Sequence, residues 1–315
     1  MTRKIKKLIA SAMLCTSIFS SGISAFASEL PELVIENESQ YAVNNPNEGD
    51  THFKSLRTAG WHQDSTGWWY EKEDGSYAQN EWLYINNYWY YFNNDGYMLQ
   101  GWQYINNEWY YLNPGDQSGY PSGAMVTGIV TIHHDEYGNN EFGFDSDGKL
   151  FYTKLGINRV QEEDDKWCWI GSIKAIGDYM NPGNGISQND ICLYVKNEIV
   201  SAGGNSEEVK TGLSYITGQE TEAYYPFSME TTANKLMNYQ PFVIATHYDY
   251  NNKTYGHAIT GIGYNETANS IYFMDADSIN TSKDHSFDRD QAVSVGFVYP
   301  GTSINLIYKY AVSTK

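Results

Sequence analysis

Between residues 59 and 154 the apolar positions are mostly aromatic and recur at a fixed spacing. Gly60-Trp61 is followed at seven residues by Trp68-Trp69-Tyr70 and then by Asp74-Gly75. Trp82 is followed at seven by Trp89-Tyr90-Tyr91 and Asp95-Gly96, and Gly101-Trp102 at seven by Trp109-Tyr110-Tyr111. The period is about twenty residues, long enough for one supersecondary unit. Asn86-Asn87 and Asn106-Asn107 stand between the aromatic runs of their units, the turn signal of a two-residue β-hairpin. A lone hairpin cannot bury a face, so the units are expected to stack into an all-β solenoid, with at least three needed for stability. Residues 119–152 keep Gly128-Ile129, Phe142 to Phe144 and Asp147-Gly148 without the tryptophans, and read as a degenerate capping unit.

From residue 155 the pattern changes. Residues 167–180 place Ile170, Ile173, Ile176 and Gly177 near one helical face and stop at Asn181-Pro182-Gly183, which predicts an amphipathic helix. Residues 187–199 and 230–238 predict two more helices. After Pro241, strands are predicted over 242–248, 257–264 and 271–275, with further strand in 297–312. Helices followed by a sheet imply an α+β domain over 155–315.

The first residues are of another kind. Arg3, Lys4, Lys6 and Lys7 precede an apolar run over 8–26 that ends in Ala25-Phe26-Ala27, the pattern of a cleaved signal peptide over 1–27. Ser and Thr interrupt the run and no stop-transfer flank follows, against a membrane anchor. Leu14 stands before Cys15, where lipid processing wants a small residue. No later membrane span is expected. Residues 28–58 are polar and aperiodic, as a linker would be. The expected protein is therefore secreted.

Charge and cysteines narrow the function. The full sequence carries −18, and removing the four basic residues of the signal leaves −22. Such a chain repels nucleic acid and attracts cationic ligands and basic peptides. Of three cysteines, Cys168 and Cys192 remain after cleavage, too few for a disulfide framework. Cys192 lies in an apolar helical stretch and suits packing. No His-x-x-x-His or Cys-x-x-Cys spacing is present, so neither a metal nor another cofactor is expected.

Cys168 stands at a helix start between Trp167 and Trp169, with Gln161 upstream and His257 and Asp275 downstream. A cysteine at a helix N-terminus meets the positive end of the macrodipole, which favours the nucleophilic thiolate. A nearby imidazole completes the ion pair and then protonates the leaving amine. His247 competes with His257 but lacks its Gly256-His257-Ala258 setting, and His133-His134 reads as solvent-facing.

Two resemblances follow from these residues. Residues 60–152 resemble the choline-binding and glucan-binding cell-wall repeats of Gram-positive surface proteins. The likeness implies one aromatic cage from Trp61, Trp68 and Tyr90 and a second from Trp82, Trp89 and Tyr110. A third, from Trp102 and Trp109, has its tyrosine position near Gly143. The ligand implied is a wall polymer, either choline-bearing teichoic acid or glycan. Residues 155–315 resemble papain-like cysteine peptidases, particularly staphopains, bacteriocin-leader peptidases and secreted effector proteases of plant pathogens. The fragments are Gln161 with Trp167-Cys168-Trp169, then Gly256-His257-Ala258-Ile259-Thr260-Gly261, then Met274-Asp275.

That likeness implies a papain-like α+β catalytic domain following the hairpin solenoid. In it Cys168 is nucleophile, His257 base, Asp275 the group orienting the imidazole and Gln161 an oxyanion donor, acting on a protein or peptide substrate. Relatives place the glutamine six residues before the cysteine, whereas Gln161 is seven before it. The papain-type Asn-Ser-Trp is missing too, which leaves Asp275 or Asp277 as partner of the histidine, with Asp275 preferred. Competing readings keep part of the set: a peptidoglycan hydrolase or amidase with the same triad, a transglutaminase-like enzyme, or an inactive wall adhesin.

Overall fold

The structure, a computed structural model, describes residues 59–224, 228–277, 285–288, 297–298 and 305–315. The expected signal peptide and linker, 1–58, lie outside these residues, as does part of the strand expected in 297–312. The chain divides into two compact units, one ending at Tyr77 and one running from Ala78 to Lys315.

The described part of the first unit is a single hairpin. Strands β1 (Gly60–Gln63) and β2 (Trp68–Glu71) pair antiparallel, with Trp61 opposite Tyr70. The Trp61 ring meets Trp68 edge-on at 6.4 Å and Tyr70 at 5.2 Å. His62 stacks on Trp69 at 4.1 Å.

The second unit opens with two further hairpins, β3 (Glu81–Ile85) with β4 (Tyr88–Phe92) and β5 (Gly101–Ile105) with β6 (Glu108–Leu112). Their turns are the predicted asparagine pairs. Asn86 and Asn87 have φ of 49° and 69°, and Asn106 and Asn107 have 52° and 67°, the left-handed turn that matches strand twist and that asparagine tolerates best after glycine.

The expected capping unit forms a three-stranded meander of β7 (Gly128–His134), β8 (Gly138–Phe144) and β9 (Leu150–Lys154). Phe142 and Phe144 are fully buried with Tyr111, Ile132 and Leu150. The Trp102 ring lies 4.8 Å from Phe142, so an apolar ring stands where the third cage would have had a tyrosine.

The remainder supplies four helices and seven strands among the described residues. Helix α1 (Cys168–Met180) starts one residue after the predicted beginning, and α2 (Gln188–Lys196) is closed by a capping box between Ser187 and Asp190. Helix α3 (Ser206–Thr217), which the periodicity argument omitted, has its own capping box between Asn205 and Glu208. Strand β10 (Thr221–Tyr224) precedes α4 (Met229–Met237). Then come β11 (Phe242–Tyr250), β12 (Lys253–Asn265), β13 (Ser270–Met274), β14 (His285–Asp288), β15 (Phe297–Val298) and β16 (Asn305–Thr314).

Ten strands form one sheet whose main path runs β10-β16-β11-β12-β9-β8-β7, with β13 and β14 branching from β12. The expected boundary at 154/155 therefore falls inside a hydrogen-bonded sheet, where Gly263 pairs with Lys154 and Tyr264 with Thr153. Helix α1 lays Ile170, Ile173 and Ile176, all fully buried, against Ile191 and Cys192 of α2 and Leu213 and Ile216 of α3. Each such side chain contributes about 1.5–3 kcal/mol by leaving water. A second cluster joins Phe242, Ile244, Ile259, Ile271 and Phe273 of the sheet. Helices segregated against an antiparallel sheet make this an α+β protein carrying N-terminal β-hairpin repeats.

Candidate active site

Two indoles fix where α1 begins. Trp167 Nε1 donates to the Val200 carbonyl at 2.9 Å and Trp169 Nε1 to the Ala202 carbonyl at 3.1 Å. Trp169 is buried, and a Cβ on Gly204 would come within 2.5 Å of its ring, so glycine is what lets the 200–204 segment lie against it. Trp167 takes the N-cap position without a side-chain cap, and Cys168 begins the helix partly exposed with a free thiol.

His257 enters from β12. Its backbone pairs with Thr246 of β11, whose Oγ1 donates to the His257 carbonyl at 3.0 Å. Four residues on, a Cβ at Gly261 would lie 2.0 Å from the Phe242 ring. The Gly-His-Ala-Ile-Thr-Gly run therefore ends in glycine because β11 packs directly on it.

The imidazole joins two partners. Nε2 lies 2.8 Å from Asp275 Oδ2, and the ring is also hydrogen-bonded to Cys168. Burial alone would lower the proton affinity of His257. The bonds to Asp275 and Cys168, with the negative charge of both partners, outweigh it and hold the pKa well above 6.5, as expected when opposite charge and hydrogen bonding favour the cation.

Asp275 is buried just beyond β13, and its Oδ1 accepts the Asp277 N–H at 2.9 Å. Of the two candidate aspartates, Asp275 is thus the one bonded to the imidazole. Arg159 holds this turn in place, with Nε donating to the Asp275 carbonyl at 2.7 Å and Nη2 to the Asp277 carbonyl at 2.5 Å. Sequence reasoning passed over Arg159, although it is the one cation between Lys154 and Lys166.

Gln161 stands differently from its expected role. Its side chain is exposed, and its carbonyl accepts from Gln188 Nε2 at 2.7 Å. Glu162 is half-buried instead: its N–H donates to the Ala276 carbonyl at 2.9 Å, and its Oε2 is buried with no hydrogen-bond partner among the described residues. Burial first, then the negative charges of Asp277, Asp275 and Asp165, push its carboxyl up to about 7, with His257 pulling the other way. His247 faces Gly256 across the β11–β12 ladder. Cys192 Sγ accepts the Val200 N–H at 3.5 Å deep in the helical core.

In the repeats, the rings of Trp82 and Tyr110 converge from neighbouring hairpins to 5.0 Å. Trp89, the third member expected there, packs on Tyr84 at 5.2 Å and is 43% exposed. Trp61 and Trp68 belong to the first unit, whereas Tyr90, which is buried, belongs to the second.

A partly exposed thiol, an imidazole and a buried carboxylate in one hydrogen-bonded line is the arrangement of a cysteine hydrolase. Residues 153–289 match the family model of the papain-like cysteine protease AvrRpt2. Residues 79–128 match that of a choline-binding repeat. Among curated proteins there is no match. Similar solved structures include the pneumococcal cell-wall endolysin from phage Cp-1 complexed with choline, at 29% identity over 35% of this chain and 32% of that one, TM-score 0.25. Another is choline binding protein F from Streptococcus pneumoniae, at 30% identity over 30% of this chain and 34% of that one, TM-score 0.21. A C39-like peptidase from Bacillus anthracis is 17% identical over 51% of this chain and 94% of that one, TM-score 0.34. The chain spans 29–32% of the length of the endolysin chains it matches. Matches to a choline-binding repeat and to a papain-like cysteine protease thus stand side by side along one chain.

Proposed function

We propose that the protein is a secreted peptidase that hydrolyses peptide bonds at the cell wall through a Cys168 thiolate, with His257 as acid and base and Asp275 orienting the imidazole. The observation that carries this reading is the double hydrogen bonding of His257, to Cys168 on one side and to buried Asp275 on the other. Cys168 Sγ adds to the scissile carbonyl carbon, and His257 passes its proton to the leaving amine. A water that gives its proton to His257 then releases the acyl group. The Cys168 N–H, free of intrahelical partners at the start of α1, suits the developing oxyanion.

The repeats act as the anchor. A quaternary ammonium has no proton to donate, so aromatic faces and negative potential hold it, at about 0.5–2 kcal/mol per ring. Trp82 and Tyr110, already 5.0 Å apart, are the core of one cage with Trp89. Repeated weak sites ahead of the catalytic residues 155–315 bear together on a polymeric ligand.

The mature protein and its Cys168→Ala variant, incubated with denatured casein and with purified wall, test the enzyme. Casein cleavage lost in the variant supports the reading. Wall clearing without casein cleavage moves the substrate to peptidoglycan, and equal activity in the variant removes the nucleophile. Retention on a quaternary-amine resin with elution by free choline tests the anchor, and failure of choline to elute points to glycan.

A further inference from the structure

The turn that presents Asp275 is gripped by a single cation from the segment leading into α1. Arg159 Nε donates to the Asp275 carbonyl at 2.7 Å, while Nη2 donates to the Asp277 carbonyl at 2.5 Å and to the Ala276 carbonyl at 3.4 Å. Three successive carbonyls converge on one planar fork, which a guanidinium with its fixed donors can serve and a compact ammonium cannot.

Two further contacts tie the same turn to the nucleophile's helix. The Glu162 N–H donates to the Ala276 carbonyl at 2.9 Å. A Cβ on Gly171, one turn into α1 from Cys168, would lie 2.5 Å from Ala276 Cβ, so glycine lets the turn rest directly on the helix. Within the turn, Asp275 Oδ1 accepts the Asp277 N–H at 2.9 Å, and Oδ2 meets His257 Nε2 at 2.8 Å. The aim of that carboxylate therefore depends on where the backbone of 275–277 is held.

We infer that Arg159 is a positioning residue of this site: by drawing the carbonyls of Asp275, Ala276 and Asp277 onto one guanidinium, it fixes the turn that aims the Asp275 carboxylate at His257. This rests on the roles given above to His257 and Asp275 and names a residue on which both depend. The atoms that Arg159 binds are backbone carbonyls, so it acts through Asp275 and takes no part in making or breaking bonds. Without the guanidinium the turn keeps its internal bond and the bond from Glu162, but Oδ2 is no longer confined to hydrogen-bonding reach of the imidazole.

The groups facing His257 make this readable. Asp275 faces it from the turn after β13 and Cys168 from α1, Glu162 acts on it from the loop before α1, and β11 places uncharged Thr246 opposite it. Asp277 and Asp165 act in turn on Glu162. Losing the close carboxylate makes the imidazolium give up its proton at lower pH, whereas removing a nearby cation alone would do the reverse. The direction of the shift thus separates positioning from a bare effect of charge.

The test uses the full mature chain as wild type, Arg159→Ala, Arg159→Lys, Gly171→Ala, Asp275→Asn and the double variant Arg159→Ala/Asp275→Asn. On a fluorogenic casein peptide, Arg159→Ala is expected to lose about 10²-fold in kcat with KM little changed, as for a displacement of about 1 Å. Arg159→Lys, which lacks the fork, recovers only part of the loss. In the double variant kcat is expected to be no lower than in Asp275→Asn alone, because both changes act through one carboxylate. Losses that multiply overturn the assignment. Alkylation of Cys168 by iodoacetamide against pH reads the site without a peptide. Its imidazolium limb is expected to move toward acid in Arg159→Ala. The same shift is expected in Gly171→Ala, which pushes the turn from the helix side without changing charge and so gives a reading even where Arg159→Ala does not fold. A shift toward alkali in Arg159→Ala, or an unmoved limb in Gly171→Ala, overturns the inference. Acid shifts in both variants, in a protein whose wild type shows no Cys168-dependent cleavage, support the positioning role and overturn the peptidase reading.

Discussion

At the scale of single residues, the site is an exercise in moving protons by environment. His257 is held as a cation by Asp275 and Cys168 against the opposing effect of its burial. Asp275→Asn keeps a polar group of the same shape but removes the charge, so burial is less opposed and the imidazolium gives up its proton at lower pH. The rate of Cys168 alkylation by iodoacetamide against pH reads this directly, and its imidazolium limb is expected to move toward acid, with kcat falling roughly 10²–10⁴-fold. Glu162 is displaced in the other sense. Below about 4.5 folded and unfolded chains both hold its proton; between 4.5 and about 7 the folded chain keeps a proton that the unfolded chain releases. Stability therefore falls as pH rises through that interval, and above it the loss is complete. Glu162→Gln is accordingly expected to raise the melting temperature over wild type increasingly from about pH 4.5 to about 7, with a constant gain beyond. Cys168, His257 and Asp275 were legible as a set because thiol, imidazole and carboxylate in that order have few other uses. The loop was not, because Gln161 and Glu162 differ by one step of register, and only folding decides which of two neighbours is buried.

At the scale of elements, hydrophobic period did well where burial is one-sided. Helix α1 and strands β11, β12 and β13 lie where alternation and the isoleucine spacing put them, to within a few residues. Helix α3 was missed because Gly212 and a polar N-terminal turn dilute its pattern. Asn205 and Glu208, spaced as a capping box, with Val209, Leu213 and Ile216 behind them, were the signal that reveals it. Strands β10 and β14, at four residues each, are too short for alternation to register. Strand β12 carries His257 and so links stability to catalysis. Gly261→Ala would put a methyl 2.0 Å from the buried Phe242 ring. It is expected to cost about 1–3 kcal/mol by overpacking, read as a lower urea midpoint, and to reduce kcat by shifting the strand under His257. Adding Phe242→Leu, which makes room for that methyl, is expected to recover part of both, a non-additivity that marks direct contact.

At the scale of the whole molecule, composition divides the chain more sharply than hydrogen bonding does. The tryptophan-rich pattern suggested a break near residue 155, yet β9 on one side of it pairs with β12 on the other. Asn140 of β8 crosses the same line, its Oδ1 accepting the Tyr179 hydroxyl at 2.8 Å and the Gly156 N–H at 3.0 Å. A chain cut to 155–315 would leave the Tyr179 hydroxyl without its acceptor, at about 1–3 kcal/mol for a buried donor, and would expose an edge of the sheet to intermolecular pairing. A chain of 128–315 keeps β7 to β9 and these bonds but bares Phe142 and Phe144, which Tyr111 and Trp102 otherwise cover. A chain of 78–315 keeps that cover as well. Urea midpoints are therefore expected to rise in the order 155–315, 128–315, 78–315, with the shortest chain also the most prone to aggregate. If 155–315 is as stable as 128–315, the meander contributes nothing to the catalytic body and belongs with the repeats. If the order holds, the meander β7 to β9 works as part of the sheet that carries His257.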